Sequence, residues 1–308
     1  MSALRQAAED YLQMRRALGY KLESHGQLLS RFVSYLERAQ AATVTIELAV
    51  AWATEPAGTD PVWWSKRLSV AREFARHLQT LDPTCEVPPA RLLPYRVRRA
   101  TPYLYTPGEI AALMHAAAGL SLPLQAATYQ TLIGLLAVSG LRVGEAIRLD
   151  RGDVDSGYGL LRIINSKYGK SREVPLDVSA MRALDAYTER REELCPRPSC
   201  EAFFVSTAGT RLHAANIRRV FTRLVRIVGL KPRSARCRPR LHDLRHGFAV
   251  SVLLEWYRAG VDVQARLPWL STYMGHVEPS STYHYLSAAP ELLQLAARRL
   301  EQTIAVWP

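Results

Sequence analysis

The sequence predicts a mainly α fold with a small β-sheet, built as an N-terminal helical bundle followed by a mixed α/β domain. Three observations carry this. The first eighty residues repeat apolar positions at helical spacing, a stretch rich in proline and arginine then breaks the pattern, and beyond it a few short extended segments interrupt further helix. At 308 residues the chain is long enough for two cores.

The elements follow in order. Leu4, Ala7, Ala8, Tyr11 and Leu12 mark one helix, Leu28, Leu29, Phe32, Val33 and Leu36 a second, and Ile46 to Ala53 a third. A fourth starts at Asp60-Pro61, a capping side chain before a proline in the first turn, and carries Trp64, Leu68, Val70, Ala71 and Phe74. Arg15, Arg16, Lys21, Arg31, Lys66, Arg67, Arg72 and Arg76 are expected on the outer faces of this bundle, facing a duplex backbone or solvent. The bundle is drawn as residues 1–82 and a linker as 83–105, where prolines alternate with Arg91, Arg96, Arg98 and Arg99. The second domain, 106–308, opens at Thr106-Pro107-Gly108-Glu109 with a capping-box pattern.

Within that domain, Leu122 to Val138 reads as a buried helix ended by Ser139-Gly140, and Val143 to Leu149 as a short one. Leu160 to Ile164 and Arg172 to Leu176 read as strands joined by the turn Lys167-Tyr168-Gly169-Lys170. Met181 to Leu194 and Ala214 to Val228 are expected as helices, with Ala202 to Ser206 extended between them. Leu241 to Val306 is expected to be helical, broken near Gly260, Gly275 and Pro290.

Lys+Arg 40 against Asp+Glu 28 leaves a net charge of +12, which favours a polyanionic partner because basic side chains release counterions condensed on phosphates. No acidic residue lies between Ala202 and His242, a span holding Arg218, Arg219, Arg233, Arg236, Arg238 and Arg240. With Arg96, Arg98 and Arg99 these are the candidate contacts to DNA, and such contacts set register without reading sequence. No cationic leader opens the chain and its most apolar stretch is too short and polar to span a membrane. Cys85, Cys195, Cys200 and Cys237 lack zinc-ligand spacing and read as free thiols of a cytoplasmic protein.

The candidate chemistry lies in four segments. Arg142 follows Ser139-Gly140-Leu141 at a helix start, where a guanidinium beside backbone N–H groups makes an anion site; Glu145, one turn on, either holds it or forms an ordinary surface pair. His242 and Arg245 share a helix face, so one can move a proton while the other grips an oxygen. His246 falls on an adjacent face and reads as a packed core histidine. Lys167 sits on a hairpin tip, with Lys170 and Arg172 as competitors. His276 ends a helix, and Tyr283 and Tyr285 follow it, pointing to nearly opposite sides.

SGLRVGEAIRL, the SK-x-x-K-x-R-x-VPL stretch, LHDLRHGFA and GH followed nine residues later by tyrosine resemble the signature segments of the tyrosine recombinase (phage integrase) family, over roughly Thr106 to Leu300. The helical N-terminal region and the linker resemble that family's core-binding domain and hinge. The resemblance implies that Arg142 and Arg245 clamp the scissile phosphate, that His242 transfers a proton and that Lys167 is the hairpin lysine. It also assigns His276 to a position held by histidine or tryptophan, Glu145 to a supporting acidic position and Tyr285 to the nucleophile. It implies an integrase or transposase that joins DNA through a 3′-phosphotyrosyl bond, working as a tetramer on two double-stranded DNA sites, with accessory recombination proteins as further partners. A non-cleaving DNA-binding protein of the same fold and a type IB topoisomerase are the alternatives. No carboxylate cluster of the kind that holds two magnesium ions is evident, and no metal or cofactor is expected.

Overall fold

The computed structural model describes residues 2–55, 57–94, 100–166 and 169–276, together with 285, 291–292, 294–295 and 297. The chain divides into two compact units, residues 1–99 and 100–308.

Among its described residues the first unit holds four helices: α1 (Ala3–Ala17), α2 (Glu23–Arg38), α3 (Ile46–Thr54) and α4 (Pro61–Gln79). Three begin on side-chain caps, Ser2, Thr45 and Asp60 accepting from the amides of Arg5, Leu48 and Val62. The core is aromatic at its centre. Phe32 packs on Trp52 with ring centroids 4.8 Å apart, and both lie with Leu29, Leu36, Leu68 and Phe74 at under 2% exposure.

Two basic residues expected on the outer face do something else. Arg67 is only 6% exposed, its guanidinium 4.0 Å from the Trp52 ring centroid and donating to the Trp52 carbonyl. Arg72 donates to the carbonyls of Pro88 and Pro89 at 2.8 and 2.9 Å. An arginine stem is apolar enough to be buried while its head finds main-chain oxygen, so a helical pattern written in charges misplaces it. Cys85 is buried against this bundle, whereas Tyr103 and Tyr105 belong to the core of the second unit.

The second unit contains α5 (Pro107–Ala118), α6 (Pro123–Ser139), α7 (Val143–Arg148), a single turn at Arg151–Asp153, β1 (Val154–Asp155), β2 (Leu160–Ile163), β3 (Arg172–Pro175), α8 (Val178–Leu194), α9 (Ala214–Val228), α10 (Asp243–Arg258) and α11 (Val263–Met274). The capping box at Thr106 and Glu109 is formed, starting α5. Helix α6 runs through the middle and is apolar all round, with Leu132, Ile133, Leu135 and Leu136 buried, which is why its sequence shows no amphipathic stripe.

The sheet is antiparallel in the order β1-β2-β3, pairing Leu161 with Val174 and Ile163 with Arg172. Strand β1 is two residues long and left no period to read in the sequence. The extended stretch at 202–205 forms isolated bridges, Asp150 to Ala202 and Val205 to Arg211. A second cluster joins α10 and α11 through Ala249, Leu253, Leu267, Leu270 and Met274, and takes in Tyr285 and Leu292. The helix expected after the tyrosine therefore contributes at least Leu292 to its own chain's core, and Glu291 pairs with Arg258.

Candidate active site

Two of the helices that end on glycine in this unit, α6 and α11, have their ends put to use. Gly140 closes α6 at φ 60° and Gly275 closes α11 at φ 66°, conformations that a side chain resists. The last carbonyls of a helix lack intrahelical partners and carry partial negative charge. Arginines from elsewhere supply the missing donors. Arg245 gives Nη1 to the Gly140 carbonyl at 2.5 Å and Nη2 to the Met274 carbonyl at 2.7 Å. Arg142 gives Nη2 to the Gly275 carbonyl at 2.8 Å. Residues 100 and more apart in sequence are thereby fixed side by side. A Cβ on Gly140 would stand 2.5 Å from Cδ1 of Phe248, and one on Gly275 2.7 Å from Nη1 of Arg172.

Glu145 lies beneath these arginines at 2% exposure. Its carboxylate accepts from the Arg142 amide at 2.9 Å, from Arg142 Nη1 at 2.7 Å, and from both terminal nitrogens of Arg172 at 3.1 and 3.0 Å. The Ser166 hydroxyl donates to it as well. Burial pushes the Glu145 pKa up, but the hydrogen bonds from Arg172, Ser166 and the Arg142 amide outweigh it and hold the carboxyl at about 2. Arg172 also donates Nε to the Tyr273 carbonyl at 2.8 Å, tying β3 to α11. The sequence offered Glu145 as a partner of Arg142 alone; it serves two guanidiniums. Arg172, set aside there as a competitor of Lys167, is a structural member of the cluster.

The aromatic side is formed by three histidines and a tyrosine. His242 stands at the start of α10 with His246 one turn on, their rings 5.0 Å apart and nearly perpendicular. His246 faces the Tyr285 ring at 5.2 Å, and His276 stacks on it at 5.8 Å and 25°. His246, expected as a packed core histidine, is half-buried and sits between His242 and Tyr285. Tyr285 is 3% exposed and close enough to the Arg245 guanidinium to act electrostatically on it.

Arg245 lies 2.9 Å from Nε2 of His276, and because a guanidinium only donates, that nitrogen must be the unprotonated acceptor. The pKa agrees: burial first, then Arg245 and Arg142, lower His276 to about 4. His242 is exposed to solvent, yet its pKa is also shifted down, by partial desolvation first and then by the Arg245 charge, against an opposing pull from Asp243. Arg245 is brought down by burial to about 10 and stays charged at neutral pH. The result is a pocket of two fixed cations, two neutral imidazoles and a phenol.

Arg142, Glu145, His242, Arg245, His246, His276 and Tyr285 are therefore brought together. Lys167 and Tyr283 lie outside the described residues, as do Arg96, Arg98 and Arg99. On α9, Ile217, Phe221 and Leu224 face inward while Arg218 and Arg219 are exposed. Arg236 and Arg238 are also exposed. Three of the basic residues are already engaged: Arg240 is bound to buried Asp243 at 3.0 and 2.6 Å, Arg233 sits over the Tyr103 ring and donates to the Leu104 carbonyl, and Arg219 donates to Asn216 Oδ1 at 3.3 Å.

The sequence profile of the phage integrase family matches residues 104–291, more than half of the chain. The chain belongs to the phage integrase family, the tyrosine recombinases. A protein of Sinorhizobium fredii (strain NBRC 101917 / NGR234) named integrase/recombinase y4rB is 43% identical to it over 310 residues, covering 98% of each chain. The tyrosine recombinase XerC of Pelotomaculum thermopropionicum is 33% identical over 175 residues, 55% of this chain and 53% of that one. Among solved structures, a lambda integrase tetramer bound to a Holliday junction superposes with a TM-score of 0.61 at 19% identity, covering 92% of this chain and 76% of that one, a likeness of fold. No described helix is long and apolar enough to cross a membrane.

Proposed function

We propose that this tyrosine recombinase cuts and rejoins double-stranded DNA at specific sites, as an integrase or transposase, through a 3′-phosphotyrosyl bond made by Tyr285. The observation that carries the reading is the buried Tyr285 ring packed against His246 and His276, next to Arg245 and with His242 beyond His246.

The chemistry follows from the geometry. Attack by the Tyr285 oxygen on phosphorus builds a pentacoordinate species with added negative charge, and Arg142 and Arg245, held by main-chain carbonyls, supply fixed positive charge to it. The phenolic proton passes to a neutral imidazole, His242 being the one assigned by family position, and its lowered pKa keeps it able to accept. The P–O5′ bond breaks and the 5′ oxygen takes a proton from Lys167. Attack by a new 5′ hydroxyl reverses each step, and the phosphotyrosyl bond conserves the energy of the broken ester. The tyrosine stands among the arginine and histidines of its own chain, which supports cleavage in cis. By family, the working assembly is a tetramer on two DNA sites in the cytoplasm, directed by accessory proteins.

A nicked duplex that releases a short 5′ product traps the covalent intermediate. Wild type yields a protein–DNA adduct and Tyr283→Phe retains it, whereas Tyr285→Phe forms none. An adduct that survives Tyr285→Phe and is lost in Tyr283→Phe means the other tyrosine attacks. No adduct from wild type leaves a DNA-binding protein that does not cut. Strand exchange between two duplexes separates recombination from simple relaxation.

A further inference from the structure

A second basic pocket lies in the first unit, between α2, α3 and α4. It is a cavity of about 300 Å³ lined by Ser30, Arg31, Ser34, Arg38, Trp52, Glu55 and Arg67. Ser30, Ser34 and Arg38 recur every four residues along α2 and Arg31 stands beside them, so one helix face presents two guanidiniums and two hydroxyls. Arg31 and Arg38 are exposed and make no hydrogen bond or ion pair among the described residues. The floor is Arg67, 94% buried by its 6% exposure, stacked on Trp52.

Arg67 is incompletely compensated. Its Nε has no hydrogen-bond partner among the described residues, and its one carboxylate neighbour, Glu55, lies 3.7 Å away with half its side chain in solvent. A buried cation with an orphaned donor is costly unless an anion completes it. Three guanidiniums against one carboxylate leave the cavity net positive, and the ring beneath Arg67 holds its fork in a fixed plane, as recognition of a tetrahedral oxyanion requires.

We propose that this pocket is a seat for one phosphate group, and that the group it takes is a backbone phosphate of DNA. The seat stands on the geometry alone; the DNA occupant rests on the recombinase reading. A single seat differs from a solvated basic face in a measurable way. Neutralising one phosphate contributes about 0.9 to the slope of log affinity against log salt. If Arg31 and Arg38 serve the same phosphate, removing either loses most of that contribution and removing both loses little more. Two independent contacts lose about twice as much together.

The test uses the full chain as wild type, Arg31→Gln, Arg38→Gln and the double variant. Both side chains are exposed, so the fold is preserved. Inorganic phosphate replaces chloride at constant ionic strength in thermal unfolding, and a 30-bp duplex of arbitrary sequence serves for the salt series, a length chosen to be about three helical turns. Phosphate is expected to raise the Tm of wild type by a few degrees and not that of the double variant. The salt slope is expected to fall by about 1 in each single variant and by no more in the double. Equal Tm responses in wild type and double variant overturn the seat. A lost Tm response with unchanged slopes identifies free phosphate as the occupant and overturns DNA. An additive fall of about 2 overturns the shared seat in favour of two surface contacts. Adduct formation by wild type on the nicked duplex is scored in parallel, so a failure of the recombinase reading is seen separately.

Discussion

Glu145→Gln is the sharpest perturbation of the cluster, because it changes one charge and almost no volume. In the folded chain the Glu145 carboxyl is held at about 2, against an ordinary 4.5. At about 1.4 kcal/mol per pH unit, that difference is worth about 3 kcal/mol of folding stability. The folded pKa lies below the unfolded one, so this stability is fully present above pH 4.5 and is lost as the pH falls through 4.5 towards 2. The amide also leaves Arg142 and Arg172 facing each other without a counter-charge, and breaking a buried pair from one side costs on the order of 3–5 kcal/mol. At pH 7 the variant is expected to be less stable by about 3 kcal/mol, a Tm loss of about 6–12 °C for a unit of this size. Urea unfolding of both proteins from pH 7 to pH 3 measures it, and the gap between them must narrow below pH 4.5. Adduct formation on a nicked duplex should fall about a hundredfold, because the Arg142 guanidinium loses the group that aims it. A variant as stable as wild type across that range, with unchanged cleavage, refutes the account of this carboxylate.

Further outcomes follow from the same geometry. Gly140→Ala places a Cβ 2.5 Å from Phe248 at a φ of 60°, and is expected to cost about 2 kcal/mol or more and to displace the carbonyl that holds Arg245; calorimetry and adduct yield check both. Arg172→Lys keeps the charge but loses the two-pronged grip on Glu145, so cleavage should drop about tenfold with duplex affinity nearly unchanged, a split that a DNA-contacting arginine would not give. His242 and His276 both have lowered pKa values and stay neutral at pH 7, so single-turnover cleavage should hold its rate from pH 8 down to 6.5 and fall only below it. An acid limb centred at or above pH 6.5 contradicts this.

Periodicity and capping made the helices legible, since Asp60-Pro61 and Thr106 to Glu109 act through local chemistry that any neighbour-free reading can see. The convergence of the site was legible only through family likeness, because Arg142 and Arg245 meet through carbonyls at helix ends and a main-chain acceptor leaves no letter in the sequence. Arg172 had one available signal. It shares the inward face of β3 with Val174 by the two-residue period, which sets it apart from the solvated cations around it. Arg67 gave none, since a buried arginine over tryptophan and a surface arginine occupy the same place in a helical pattern. Strand β1 was too short for any period to register.

The grip on Arg142 and Arg245 has an evolutionary side. Their acceptors at Gly140, Met274 and Gly275 belong to the polypeptide itself, so no exchange of side chains on the facing helices can delete them. Point mutation reaches this clamp chiefly by bending the two glycine corners or by replacing the arginines outright. The surrounding surface is thus free to drift toward new target sequences while the cutting apparatus keeps its alignment.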